Sequence, residues 1–226
     1  MARVIDRRKA IFFRKQGMTY GEIKKRLRVS KSTLSEWLRD EPLTNDQMVS
    51  LAVNKKKSRE LAVEKTRIVK LNKRQARLSQ IYSQEKKRLV PIDLKSLEIA
   101  GLFLYWGEGN KRTPTSIALN NTDPMVVKFY LYWLLKILKV PKERIHVSLH
   151  LYSDMDREKE MLYWSTTLKL SLTQFQKPYV KKSLRMMVDH KGYGHGTCGL
   201  IFNNARLKER VLLGIKAIAE YYATRI

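Results

Sequence analysis

With a single cysteine, Cys198, the chain cannot form an intramolecular disulfide, and a cysteine-rich zinc module is excluded with it. Thiol usage of this kind belongs to a reducing compartment, so a cytoplasmic location is expected. Long apolar runs are missing as well. The longest, Ile99 to Trp106, falls far short of the ~20 residues that span a bilayer, and the arginine-rich start has no apolar stretch of the signal-peptide kind. No membrane partner is expected. Acidic side chains are scarce, 21 against 46 Lys and Arg in 226 residues, which leaves a formal net charge of +25. An excess of this size points to a polyanion as partner. Apolar material is nonetheless ample: 43% of the residues are hydrophobic, with four Trp, eleven Tyr and six Phe. A chain of this composition buries a core, which excludes a disordered polycationic tail.

The charge is unevenly spread. Residues 1–53 carry 12 basic and 6 acidic side chains, residues 54–90 carry 13 and 3, and residues 91–226 carry 21 and 12. The middle run holds no Gly or Pro and is dominated by Lys, Arg, Glu, Gln, Leu and Ala, so one long helix or two collinear ones are predicted. Leu61, Ile68, Leu71, Leu78, Tyr82 and Leu89 fall on the a and d positions of a heptad frame, whereas Glu64, Gln75 and Glu85 occupy the others. The segment reads as a solvated basic connector, with phosphate contact or dimerisation as the alternatives. Pro42 and Pro91 bracket it. Three domains are therefore expected: an all-α module over 1–42, a basic helical linker over 43–90, and an α+β domain over 91–226.

In the first of these, Ile5, Ile11, Phe12 and Phe13 among arginines predict a helix from Val4 to Gln16, stopped by Gly17. Thr19 and Glu22 have capping-box spacing and open a second helix through Ile23 to Leu27. Ser30 caps a third, with Leu34, Trp37 and Leu38 on its apolar face and Val29 buried in the tight turn before it. The exposed face of the third helix would carry Lys31, Ser32, Thr33, Ser35, Glu36 and Arg39, whose polar tips can meet base edges in a major groove. Arg26 and Arg28 are placed for phosphates, and Glu36 can accept from cytosine N4 or pair with Arg39. The stretch MTYGEIKKRLRVSKSTLSEWLRD resembles the helix-turn-helix of resolvase-type and repressor-type DNA-binding proteins. A protein-interaction module of three short helices is the alternative.

Asp93 can cap a helix through Leu94, Leu97, Ile99, Phe103 and Trp106 that is apolar almost all round, as a helix buried on several sides would be. It ends in Gly107-Glu108-Gly109. A carboxylate there faces the negative end of the helix macrodipole, and a divalent cation shared with the terminal carbonyls would cancel that cost. The sequence EIAGLFLYWGEG resembles the signature helix of the LAGLIDADG homing-endonuclease family in its Gly-Glu-Gly variant. The resemblance implies two such helices packed across a twofold axis, with Glu108 of each binding Mg²⁺ or another divalent cation, so a single signature helix implies a homodimer. It also implies a sheet laid on double-stranded DNA and a strand lysine, Lys181 or Lys182, that assists hydrolysis.

Strands are predicted over TSIALNN, IHVSLHLY, QKPYVKKSLRMMV and GTCGLIFNN, the last two joined by the glycine-rich turn from His190 to Gly196. Helices are predicted from Asp123-Pro124 through KIL, over DREKEMLYWSTTL and from Ala205 to Tyr222. Ile145, Val147, Leu149 and Leu151 alternate with His146, Ser148, His150 and Tyr152, and Lys177, Lys181, Lys182 and Arg185 cluster near the last strand pair. These polar and basic residues are the groove and phosphate candidates. His190, His195 and Cys198 have spacings open to zinc, but a fourth ligand is missing nearby and a hairpin turn is the simpler reading. A double-stranded-DNA-binding protein that cleaves phosphodiesters with Mg²⁺ as a homodimer is the expectation. A regulator that binds without cutting is its rival, favoured by the bulky Phe103 and Trp106; structured RNA is a third possible partner.

Overall fold

The computed structural model describes residues 2–52, 58–184 and 194–225. The fold is mixed α+β and divides into two compact units, Met1–Val90 and Pro91–Ile226.

The first unit is helical: α1 (Ala2–Lys15), α2 (Tyr20–Leu27), α3 (Lys31–Trp37), α4 (Asn45–Ala52) and α5 (Ser58–Leu89). Gly17 ends α1 in a conformation with φ +87°, which glycine adopts without penalty. The Thr19 hydroxyl accepts from the Glu22 amide at 3.3 Å while the Glu22 carboxylate accepts from the Thr19 amide at 2.8 Å, so both orphan donors at the start of α2 are satisfied. Ser30 accepts from the Thr33 amide at 3.0 Å and starts α3. Ala10, Ile23, Leu34 and Leu38 form the core between these three helices, and Val29 and Trp37 pack against it half-buried. Phe12 and Ile5, expected on the apolar side of α1, are exposed; the buried positions of that face are Ala10 and, unexpectedly, Arg14.

Arg14 is 2% exposed. Its guanidinium donates to the Glu41 carbonyl at 2.9 Å, to the Met18 carbonyl at 3.1 Å and to the buried carboxylate of Glu64 in α5. Glu64 also accepts from the Leu43 amide at 3.3 Å. The glutamate that interrupts the heptad thus ties the long helix to the helices before it, together with Arg67, whose guanidinium lies 3.3 Å from the Tyr20 ring centre, and Arg74, 3.9 Å from Asp40. Leu61, Ile68 and Leu71 on the same stripe are half-buried; Leu78, Tyr82 and Leu89 continue it exposed.

The second unit runs α6 (Leu94–Glu108), β1 (Ser116–Asn121), α7 (Pro124–Lys136), β2 (His146–Tyr152), α8 (Arg157–Leu168), β3 (Tyr179–Lys181), β4 (Thr197–Asn203) and α9 (Ala205–Ala223). The sheet order is β1-β4-β2-β3, with β4 antiparallel to both neighbours and β3 parallel to β2. One face of the sheet carries Ile117, Leu119, Val147, Leu149, Leu151, Cys198, Leu200 and Phe202, all buried with Tyr105, Tyr130, Trp133, Trp164 and Val211 from the four helices. Among the described residues of this unit the four helices pack on that face; the opposite one carries Asn120 and His150 exposed, His146 and Ser148 half-buried, and Ser116, Ala118 and Gly199 buried.

Two expectations are corrected. The strand expected over QKPYVKKSLRMMV does not pair with β4 where it is described: both edges of β4 are taken by β1 and β2, and Tyr179–Lys181 pairs instead with the outer edge of β2, while residues 185–188 lie outside the described residues. The Gln176 amide donates to the Val147 carbonyl at 2.8 Å, and the Gln174 amide group donates to the Lys142 and Ile145 carbonyls, which leads the chain alongside β2 in the same direction. Helix α6, expected to be enclosed, buries only the line Leu97, Gly101 and Tyr105; Ile99, Phe103 and Trp106 are exposed. Gly101 is where α6 meets α7, since a Cβ there would lie 2.0 Å from the indole nitrogen of Trp133.

Candidate nucleic-acid interface

The register places the polar residues of the helix-free sheet face in cross-strand rows. Asn120, Gly199 and Ser148 form one row, Ala118, Ile201 and His146 a second, and Thr197, His150 and Tyr179 a third. A Cβ at Gly199 would come within 2.0 Å of Asn120 Oδ1 and 2.4 Å of Ser148 Oγ, so the glycine leaves a notch over which two hydrogen-bonding side chains converge. Asn120 is absent from the sequence-based candidates, because only the pairing of β1 with β4 places it beside Gly199. His146 and Ser148 are half-buried and His150 is exposed, all on this face.

Glu108 is the last residue of α6 and is exposed at the end of β1. Its carboxylate accepts from the Asn121 side-chain amide at 3.5 Å, and among the described residues no cation lies within ion-pair distance of it. The backbone just after it is pinned. Gly109 donates to the Tyr105 carbonyl at 2.8 Å and Asn110 to the Ala118 carbonyl at 2.8 Å. The Asn110 carbonyl in turn accepts from Tyr105 Oη at 2.6 Å and from Lys208 Nζ, which also donates to the Ser116 carbonyl at 3.2 Å. Lys208 is 1% exposed, and burial, with Lys111 nearby, lowers its pKa. Burial pushes the Tyr105 phenol up to about 12.

The two glycines around Glu108 do different things. A Cβ at Gly109 would lie 2.4 Å from the Tyr105 ring and carbonyl, whereas a Cβ at Gly107 would meet nothing within 4 Å. Close approach of backbone is needed at Gly109 alone. The Gly107 carbonyl, expected to face a metal ion, accepts from Lys111 Nζ at 3.4 Å. Among the described residues no three His, Cys, Asp or Glu side chains gather as a metal site would require.

Lys181 and Lys182 are not brought to Glu108 within one chain. They lie on and beside β3, three strand steps from β1, a backbone distance of roughly 14 Å at ~4.8 Å per step. Lys181 Nζ sits 5.1 Å from the centre of the Tyr152 ring, and Lys182 is exposed. Arg185 and His190 lie outside the described residues. His195 is engaged with Glu160 (Nδ1 to Oε2, 2.7 Å) and stacked on Tyr163 at 3.4 Å, while its carbonyl accepts from Trp164 Nε1 at 2.8 Å. Cys198 faces the core, where burial raises its pKa far above the ordinary thiol range.

In the first unit, Lys31, Ser32, Ser35, Glu36 and Arg39 are exposed on and just after α3, and Thr33 is half-buried. The Ser32 and Thr33 hydroxyls are hydrogen-bonded to Ser30 Oγ at 2.7 and 2.8 Å, so both belong to the cap of α3 and would have to rotate to meet another group. Arg26 and Arg28 are exposed at and after the end of α2, Arg26 lying 5.3 Å from the Phe13 ring centre and Arg28 closing the helix at φ 54°.

No family model matches the chain, and no curated protein or solved structure matches it either. Among the described residues no helix is long and apolar enough to cross a membrane.

Proposed function

We propose that the protein binds double-stranded DNA, each unit contributing one surface: α3 of the first as a helix-turn-helix reading element, and the helix-free face of the second as a groove-facing sheet. The observation that carries this reading is the sheet face itself. A face on which Asn120 and Ser148 converge over Gly199, with His150 exposed beside them, in a chain of net charge +25, suits contact with base edges and phosphates. We extend the proposal to phosphodiester cleavage by a homodimer. Mg²⁺ is commonly held by one or two carboxylates plus substrate phosphates, and Glu108 of two copies would supply two. The exposed face of α6 formed by Ile99, Phe103 and Trp106 would be the contact between copies. Mg²⁺ bound there would lower the pKa of water and stabilise the leaving oxygen. The chain's own part is to hold Glu108 in place through the Tyr105, Asn110 and Lys208 network.

A second reading, binding without cleavage, is favoured by one observation: the Lys111 ammonium on the Gly107 carbonyl takes a place that a metal ion would need. Incubating the full chain with a duplex library, with Mg²⁺ or with EDTA, and sequencing bound and cut DNA separates the two. Cleavage that depends on Mg²⁺ and vanishes in Glu108→Gln while binding persists supports the nuclease. Bound, uncut DNA supports the second reading, and a chain that retains no duplex DNA refutes both.

A further inference from the structure

At the outer edge of the open face the polar rows give way to aromatic rings. His150 and Tyr179 are cross-strand partners on β2 and β3, their rings 5.5 Å apart and inclined at 62°. Tyr152 and Lys181 are the next pair on the same face, with the ammonium 5.1 Å from the ring centre. Tyr179 is 62% exposed on a strand of three residues, so it contributes little to the core. Lys177 and Lys182 are exposed on either side of β3.

We infer that this corner binds an unpaired nucleobase of a DNA strand. The inference rests on the reading of the open face as a DNA surface and concerns what its outer edge selects. The base edges of an intact duplex present donors and acceptors to a groove, for which Asn120 and Ser148 are suited, but they offer no ring face. An exposed tyrosine and histidine on a sheet, flanked by lysines, offer ring faces and phosphate contacts together, the combination that favours splayed or single-stranded bases. The lysines supply the charge complementarity to the strand that carries the base, and the tyrosine supplies the stack.

The test uses the full chain and three DNA probes of one sequence: a matched duplex, the same duplex with a bulged 2-aminopurine, and the free strand carrying 2-aminopurine. Stacking contributes ~1–3 kcal/mol per base, so the bulged duplex is expected to bind about 5- to 150-fold tighter than the matched one, with the 2-aminopurine fluorescence quenched. Tyr179→Ala should abolish both the preference and the quenching, so that the variant binds bulged and matched duplexes equally, and Tyr179→Phe should restore them. Equal binding of bulged and matched duplexes with unquenched fluorescence overturns the inference and leaves duplex binding standing. A preference that survives Tyr179→Ala overturns the assignment to this corner. Failure of all three probes to bind overturns the inference along with the reading beneath it.

Discussion

Replacing Glu64 with alanine would leave the guanidinium of Arg14 in the interior of the first unit without its counter-ion. Arg14 would keep the Glu41 and Met18 carbonyls, but Leu43 would lose the acceptor of its amide. Removing one partner of a buried ion pair costs ~3–5 kcal/mol because the other charge stays uncompensated in a low dielectric. An exposed pair contributes only ~0–1 kcal/mol, so the size of the effect discriminates between the two situations. Native-state hydrogen exchange on the full chain reads it: amides of α1 to α3 should exchange about two to three and a half powers of ten faster, with the amides of β2 and β4 as an internal reference that does not move. The paired replacement Arg14→Met with Glu64→Leu should recover part of the loss, because no uncompensated charge remains although the Leu43 amide and the Glu41 and Met18 carbonyls lose their partners. A loss below about 1 kcal/mol in Glu64→Ala would refute the argument. So would a double variant no more stable than Glu64→Ala alone, which would make the residue a packing element and not a counter-ion.

Gly101→Ala should destabilise the second unit by ~1–3 kcal/mol through overpacking against the fully buried Trp133 ring, outweighing the ~1 kcal/mol that alanine gains over glycine in a helix. A higher midpoint in denaturant for the variant would show that α6 and α7 do not meet there. Cys198 adds a pH dependence. Its thiol pKa is raised in the folded state, so the neutral form is favoured there, and the contribution to stability is complete below about pH 8.5, the ordinary thiol value. Above that the unfolded chain ionises first and stability falls as pH rises; urea unfolding from pH 7 to 10 should show this decline in the parent and a shallower one in Cys198→Ala.

Elements set by short-range chemistry were legible from residues alone. The alternation of Ile145, Val147, Leu149 and Leu151 marks β2, and Asp123-Pro124 opens α7 as a cap does, Asp123 accepting a backbone hydrogen bond from Met125. Features that depend on distant partners were not. An arginine inside an apolar pattern reads as solvated, and nothing near Arg14 announces Glu64, fifty positions on. The parallel pairing of β3 is equally non-local, because adjacency of two strands in the sequence suggests a hairpin whereas the vacant edge of β2 decides the partner. Of the candidate site residues, His146, Ser148 and His150 share one sheet face as alternation requires, while Glu108 and Lys181 stand at opposite edges because strand order, not strand identity, sets their separation. Asn120 was hidden for the converse reason: its neighbour across the sheet, Gly199, looks like a flaw in a strand until Asn120 and Ser148 are seen to converge over it.

The position of β4 has a consequence for how the second unit assembles. It is the last strand in the chain yet lies between β1 and β2, pairing Ser116 with Asn203 and His146 with Ile201. Until residues 197–203 leave the ribosome, β1 and β2 share no hydrogen-bonded partner, and their apolar faces and open edges stay exposed to other chains. Closing the sheet then spans nearly the whole unit in one step, an entropic cost that makes such topologies slow to fold. Synthesis that stalls between β2 and β4 would release a chain with its core strands unpaired, and that species is where aggregation of this protein would begin.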